Sequence, residues 1–523
     1  VKGCKKFLIY AIAGVALATL FRTAAVQAEA LHPSEKKLRA ILSQFEQYAE
    51  KTRREWRIPG MAIAIVRDGK VIYANGFGVK KLGDPDPVDS HTVFQIGSIT
   101  KGFTAALLAM MVDEKKLNWK DRVIDHLPDF QMCDPWVTRE FLIEDLMAQR
   151  SGLVEQAASA LPLVGFDAEH VVCSLRYIEP ISSFRSEYAY QNSLFLVAAL
   201  LVERYTGKSW ATNIRERIFK PLGMKESSTD AKGLVNSNNS AYLHRHEGDR
   251  PDGAIVPIEP DWPYFDWVYK MGPAGGINSN VMDMAQWLIM QLNDGSFNGK
   301  QIISEESIDF MRAPKTIMSV PARGEQLYYC QAWVFNTYQP YPIVWHNGGT
   351  FGAHSIISMM PEAKLGIAVL TNLKDAEAPE ALHKRFYDLY FGSPYRDWSR
   401  ELLEHAAKEA DEEKPPQRPT TPSPHMPADY YIGDYFNSVY GAVTVRERDG
   451  ILYVTVGPKK VRMPLNPWNA DVFSTAIPDL MDWGGFVRFQ GGPEGKAESM
   501  TIDLFNQGGA GVFNRMAPRQ KRR

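Results

Sequence analysis

Cysteine is scarce in this chain. Four occur in 523 residues, Cys4, Cys133, Cys173 and Cys330, and no two form a Cys-x-x-Cys pair. That excludes a disulfide framework, leaves room for one bridge, and gives thiolate-bound zinc no signature. Blocks of positive charge are also missing. Lysine and arginine total 59 against 61 acidic residues, for a net charge of −2. Apart from the N-terminus, only the tail from Arg519 to Arg523 clusters basic residues, so nucleic-acid binding has no electrostatic footprint. The Gly-x-Ser-x-Gly elbow common among serine hydrolases is absent too. No solenoid-type repeat occurs.

Long apolar runs are lacking with one exception. Lys2, Lys5 and Lys6 precede the run Phe7 to Phe21, and small residues follow to Ala30. This reads as a secretory signal over residues 1–28, with export to the periplasm implied; an uncleaved segment would instead associate with the membrane. Cleavage after Ala28 moves the net charge from −2 to −6. The whole chain is 45% hydrophobic and 23% charged, ordinary for a globular protein, and too long for one core.

What is present falls into an order. Residues 35–56 repeat apolar positions at helical spacing. IPGMAIAIVRDGKVIYANGFG then carries two β-rich runs around Asp68-Gly69, a hairpin signal. Helical and loop patterns continue to about residue 310, and β-rich runs return over 343–371. The expected fold class is α+β: an antiparallel sheet whose terminal strands share one sheet, with flanking helices and an all-helical part, over residues 35–397. A charged helix and a proline-rich linker occupy 398–427. Alternating strands with a turn at Asp449-Gly450 follow over 428–517, as a small all-β barrel-like domain, and a basic tail closes the chain at 518–523. A stiff tether holds that domain close, so it is expected to contact or cover the functional pocket.

Three short patterns carry chemistry. Ser98-Ile99-Thr100-Lys101 puts serine and lysine one helical turn apart at the start of an apolar helix, where free N–H groups favour developing negative charge. A lysine kept from water there loses its proton near neutral pH. Ser34 to Lys37 matches the same spacing among charges, where a helix cap explains it better. Tyr190 and Asn192 precede a second apolar helix, and an ammonium beside Tyr190 would lower its pKa. His346-Asn347-Gly348-Gly349 offers a strand whose glycines admit a substrate to the backbone. His244 and His246 lie in loop-like surroundings without a third ligand, so no metal is expected. The aromatic run 260–270 fits either a pocket rim or packing. Cys173 and Cys330 read as buried small residues.

With these motifs in order, the chain resembles the serine β-lactamase and penicillin-binding-protein superfamily, in its class C-like branch, over roughly residues 40–395. The segments DLMAQRSGL, FKPLGM and PAGGINSNVMDMAQWL add to the likeness. The C-terminal module resembles the lipocalin-like barrel attached to some family peptidases. The resemblance implies an acyl-enzyme hydrolase without cofactors, acting on a small-molecule or peptide substrate. Ser98 would be the nucleophile, Lys101 its proton acceptor, and Tyr190 part of the base. Asn192 would orient Lys101 and bind substrate. His346 would line the pocket where relatives often carry lysine, with Gly348 beside it. The N–H groups of Ser98 and Gly349 would form the oxyanion hole. Histidine is mostly neutral at pH 7, so free-carboxylate substrates should gain less than they do from lysine. Family members with histidine here include D-specific aminopeptidases and esterase-like enzymes, which places amide or ester hydrolysis ahead of β-lactam turnover. The alternative is a penicillin-binding or scaffold protein that keeps the fold with weak turnover.

Overall fold

The computed structural model describes residues 33–517, apart from 250–251, 322–323, 339–340, 413 and 493–494. The signal-like segment and the basic tail lie outside the described residues.

Helix α1 (Glu35–Glu55) opens the fold. Its N-cap is Ser34, whose hydroxyl accepts the Lys37 N–H at 3.4 Å. The hairpin β1 (Gly60–Arg67) and β2 (Lys70–Gly78) follows. Asp68 and Gly69 turn it with φ of 51° and 71°, as the Asp-Gly pair demands. Strands β3 (Thr316–Ser319), β4 (Leu327–Tyr329), β5 (Val334–Asn336), β6 (Ile343–Gly349), β7 (His354–Met360) and β8 (Leu365–Thr371) complete an eight-stranded sheet. Its order is β2-β1-β8-β7-β6-β5-β4-β3. β1 pairs antiparallel with β8, Met61 opposite Thr371, so strands from both ends of the region share one sheet.

Strand alternation splits β1 between two cores. Met61, Ile63 and Ile65 face α1 and α5 (Ala378–Phe391), where Phe45 and Phe386 meet edge to face at 5.4 Å. Ala62, Ala64 and Val66 face the larger core, which holds α2 (Thr100–Asp113), α3 (Ser193–Thr206) and α4 (Val281–Leu292). Phe103 of α2 stacks on Trp287 of α4 at 4.0 Å. Both faces of the sheet are covered, which is why its strands read as continuous apolar runs.

Helix α6 (Trp398–Glu412) leads to the linker, which runs along the second domain: the Ser423 N–H donates to Asn469 Oδ1 at 2.8 Å. That domain is a closed barrel of eight strands between Gly433 and Arg515, filled by side chains such as Val443, Val454, Phe489 and Met500. The barrel docks on several segments of the first domain, Arg245 among them, whose guanidinium donates to Leu480 O at 3.1 Å. The Lys459 N–H donates to Val164 O at 3.0 Å, and Gly508 packs against Val154 and Ile178. Trp262 Nε1 donates to Asp479 O at 2.8 Å, and the Tyr264 hydroxyl to Pro478 O at 3.2 Å. Among the described residues no helix is long and apolar enough to cross a membrane.

Candidate active site

Ser98 lies in a 3-10 turn, Gly97–Ile99, that runs directly into α2. Gly97 has φ of 52°, a conformation that favours glycine. The turn is pressed against the end of β6. A Cβ on Gly348 would fall 2.0 Å from Ile96 O and 2.8 Å from Ser98 N, so only glycine lets the strand come this close. The Ser355 hydroxyl donates to Ile96 O at 3.0 Å and helps fix the turn. Ser98 N–H thus stands in the first turn, where backbone donors lack intrahelical partners, beside the exposed end of β6 at Gly349.

Lys101 is fully buried. Its Nζ sits 2.9 Å from Ser98 Oγ, 2.6 Å from Asn192 Oδ1 and 2.9 Å from Ala274 O. Burial holds its pKa well below the ordinary ammonium value. Asn192 occupies the N-cap of α3, yet its side chain does not cap the helix. Instead its Nδ2 donates to Gln156 Oε1 at 2.7 Å, which points Oδ1 at Lys101. A neutral amine has two N–H donors and one lone pair. With the amine neutral, Asn192 Oδ1 and Ala274 O take its two donors and the lone pair faces Ser98.

Two expectations need correction. Tyr190 hydrogen-bonds Ser98, but its pKa is raised, not lowered, chiefly by burial. Burial outweighs any lowering by a neighbouring ammonium, and the same burial works against a charge on Lys101. Tyr190 is a neutral phenol. His346 does not line the pocket. It lies behind Tyr190, ring centroids 6.4 Å apart, only 3% exposed, with Nε2 3.0 Å from the Tyr329 hydroxyl and Nδ1 2.5 Å from Asn347 O. Burial pushes its pKa down to about 3, so it is neutral. Strand alternation turns His346 and Gly348 towards the Ser98 turn and leaves Asn347 and Gly349 at the opening.

The cavity holds about 360 Å³ and is lined by Ser98, Tyr190, Asn192 and Gly349 of the expected set. Trp267 lines it as well, as do Gln156, Met271, Ala274 and Asn347, to which the sequence reading assigned no role. Gln156 (φ 57°) and Ala274 act through loop backbone conformation and a carbonyl, neither of which spacing reveals. The aromatic run 260–270 does both things asked of it. Trp267 rims the cavity, while Trp262 and Tyr264 bind the barrel. The barrel therefore touches both rim segments, but none of its described residues lines the cavity.

The other histidines and cysteines lie elsewhere. His244 is in a strand, Leu243–His246, rather than a loop. It is buried between the Leu82 N–H and Asn372 O, with its pKa pushed down to about 4 by desolvation. Among the described residues no three His, Cys, Asp or Glu side chains converge as metal ligands would. Cys330 is buried, but Cys173 is exposed on the short helix Ala168–Ser174, contrary to expectation. It falls on the outward side of that helix, whose buried contacts are Val171 and Ser174.

A sheet covered by helices on both faces, with a serine-bearing turn packed on the end of β6 and leading into a buried helix, defines a β-lactamase-fold hydrolase. The chain belongs to the Beta-lactamase family, whose model matches residues 45–390. A second family, described as a domain of unknown function (DUF3471), matches residues 417–511, the barrel. Unguisins hydrolase ungD' of Aspergillus campestris (strain IBT 28561) is 30% identical over 443 residues, which cover 78% of this chain and 79% of that protein. Penicillin-binding protein 4 of Amycolatopsis lactamdurans is 27% identical over 333 residues, 61% of this chain and 82% of its own. The octameric penicillin-binding protein homologue from Pyrococcus abyssi shares the fold, with a TM-score of 0.60 at 21% identity over 88% of this chain and 98% of that one.

Proposed function

We propose that the protein is an exported serine hydrolase that cleaves an amide or ester through an acyl-enzyme on Ser98. The observation that carries this is the buried Lys101 amine, 2.9 Å from Ser98 Oγ with both its N–H donors engaged. In the first step Lys101 Nζ takes the Ser98 proton as Oγ attacks the substrate carbonyl carbon. The N–H groups of Ser98 and Gly349 hold the resulting oxyanion. Collapse breaks the bond to the leaving group, which receives the proton from Lys101 through the neutral Tyr190 hydroxyl. Water then releases the acyl group by the reverse proton path. Asn192 orients Lys101, and His346 supports Tyr190 from behind.

The name of the Aspergillus campestris relative, a hydrolase, supports turnover. The name of the Amycolatopsis lactamdurans relative favours the second reading, penicillin binding with weak turnover. One experiment tests both. Protein treated with a fluorophosphonate or a penicillin-type probe is expected to carry one adduct, on the peptide containing Ser98, by mass spectrometry. An adduct elsewhere overturns the serine assignment. A stable adduct together with an acyl burst and no steady ester turnover establishes the second reading.

Export rests on the basic and apolar segment at the N-terminus. Protein recovered from the exported fraction is expected to lack residues 1–28 by intact mass. Retention of that segment on membrane-bound protein would show an anchor instead.

A further inference from the structure

Asn347 stands at the cavity mouth, two residues before Gly349 and on the same face of β6. Its Nδ2 lies 2.9 Å from Glu380 Oε1, and His354 Nε2 lies 2.8 Å from the same oxygen. Glu380 belongs to α5 and His354 to β7, so three separate elements meet here. The beside-lying imidazole and the Asn347 amide hold the Glu380 carboxyl below its usual range against the opposing effect of burial, and Glu380 in turn raises the pKa of His354. Glu380 thus favours the protonated form of His354, and a protonated His354 favours the Glu380 carboxylate.

That pair fixes the Asn347 amide. An ionised carboxylate only accepts hydrogen bonds, so the group facing Glu380 must be the Asn347 NH2. Oδ1 then has to point the other way. Among the described residues it has no hydrogen-bond partner, and it is not among the buried atoms, so it is the free acceptor of a residue that lines the cavity. The pair itself is poorly satisfied. His354 Nδ1 and Glu380 Oε2 are both buried without a partner. A well-packed apolar pair would serve the fold at least as well, which points to a role beyond stability.

Charge around the cavity agrees. None of the described residues that line it is charged, and the lysine nearby is buried beneath Ser98. A substrate carboxylate would meet the Asn347 carbonyl oxygen and no cation. A carboxamide, amide N–H or amine would meet an oriented acceptor.

We infer that Asn347, held by Glu380 and His354, is a specificity-determining residue that selects substrates presenting a hydrogen-bond donor, not a carboxylate, along β6. The inference rests on Ser98 being the acylated nucleophile, and it names the substrate class for that site.

The test uses the full chain and a pair of aryl esters identical except that one bears a primary carboxamide and the other a carboxylate. The carboxamide ester is expected to have a KM about tenfold lower, the worth of one good hydrogen bond, with kcat similar for both. Asn347→Ala is expected to raise the carboxamide KM by that factor and leave the carboxylate KM unraised. Glu380→Gln supplies a donor of its own, lets the Asn347 amide turn round, and shifts the preference towards the carboxylate. Equal KM values in the unmodified protein, or a preference unaltered in Asn347→Ala, overturn the inference. If neither ester is hydrolysed, the same pair is read as competitors of fluorophosphonate labelling. Equal protection of Ser98 then overturns the inference while the serine assignment stands. Labelling away from Ser98 overturns the assignment beneath it, and the inference with it.

Discussion

Ser98→Ala is expected to lower kcat/KM for ester and amide hydrolysis on the order of 10⁵–10⁶-fold, the scale seen when a serine hydrolase loses its nucleophile. The variant loses one oxygen from a half-buried position in a turn fixed by Gly97, Gly348 and Ser355, so its thermal unfolding should stay near that of the parent. What turnover survives would come from the oxyanion donors and from substrate positioning, which the substitution leaves in place. Steady-state hydrolysis of an activated ester, measured beside an unfolding curve, checks both halves. Undiminished turnover in a folded Ser98→Ala protein would place the chemistry elsewhere.

Lys101→Met is expected to lower kcat/KM roughly 10²–10⁴-fold, the range for a positioned general base. It should also change how stability depends on pH. The folded-state pKa of Lys101 is depressed by burial, whereas the unfolded chain has the ordinary lysine value of about 10.4. Between those two values the unfolded state binds a proton that the folded state does not, so stability rises with pH through that window. Methionine carries no such proton. The melting temperature of the parent minus that of Lys101→Met should therefore increase from neutral pH towards pH 10. A difference that stays flat would mean that Lys101 keeps its proton when folded, and the base assignment would fail. The unmodified protein should show the matching rise in kcat/KM with pH as Lys101 becomes a free amine.

Much of the frame was legible from local pattern. Asp68-Gly69 and Asp449-Gly450 turn their hairpins with positive φ at both positions, because that backbone geometry is set within two residues. The Ser34 match to the serine–lysine spacing proved to be a helix cap, as its polar neighbours suggested. The match at Ser98 lies in a turn leading into a helix buried from Thr100 to Met111, as its apolar neighbours suggested. The tyrosine–asparagine spacing of Tyr190 and Asn192 also occurs at Tyr73-Ala74-Asn75 and Tyr435-Phe436-Asn437, in other settings. Tyr73 lies in β2, and Tyr435 is buried in the barrel, where its hydroxyl donates to Tyr431 O.

The errors have one origin. Tyr190 and His346 were judged against a charged neighbour or an open pocket, and both depend on which distant segments exclude water. His346 is in the right strand, but the phase of that strand against the Ser98 turn sends its ring inward and brings Asn347 to the opening. Gln156 and the Ala274 carbonyl carry no motif at all, and they matter only because loops 118 residues apart in sequence close on one amine.

The sequence by itself determined which residues could react: a serine and a lysine one turn apart on an apolar helix, an amide ahead of a second helix, and a glycine-rich strand end. These follow from spacing and from neighbours within a few positions. Tertiary structure alone decided their states. Segments near residues 98, 156, 192, 274 and 347 meet at one cavity, and that convergence takes Lys101 and Tyr190 out of water. Desolvation penalises whichever form of a group is charged, which lowers the pKa of Lys101 and raises that of Tyr190 on either side of the serine.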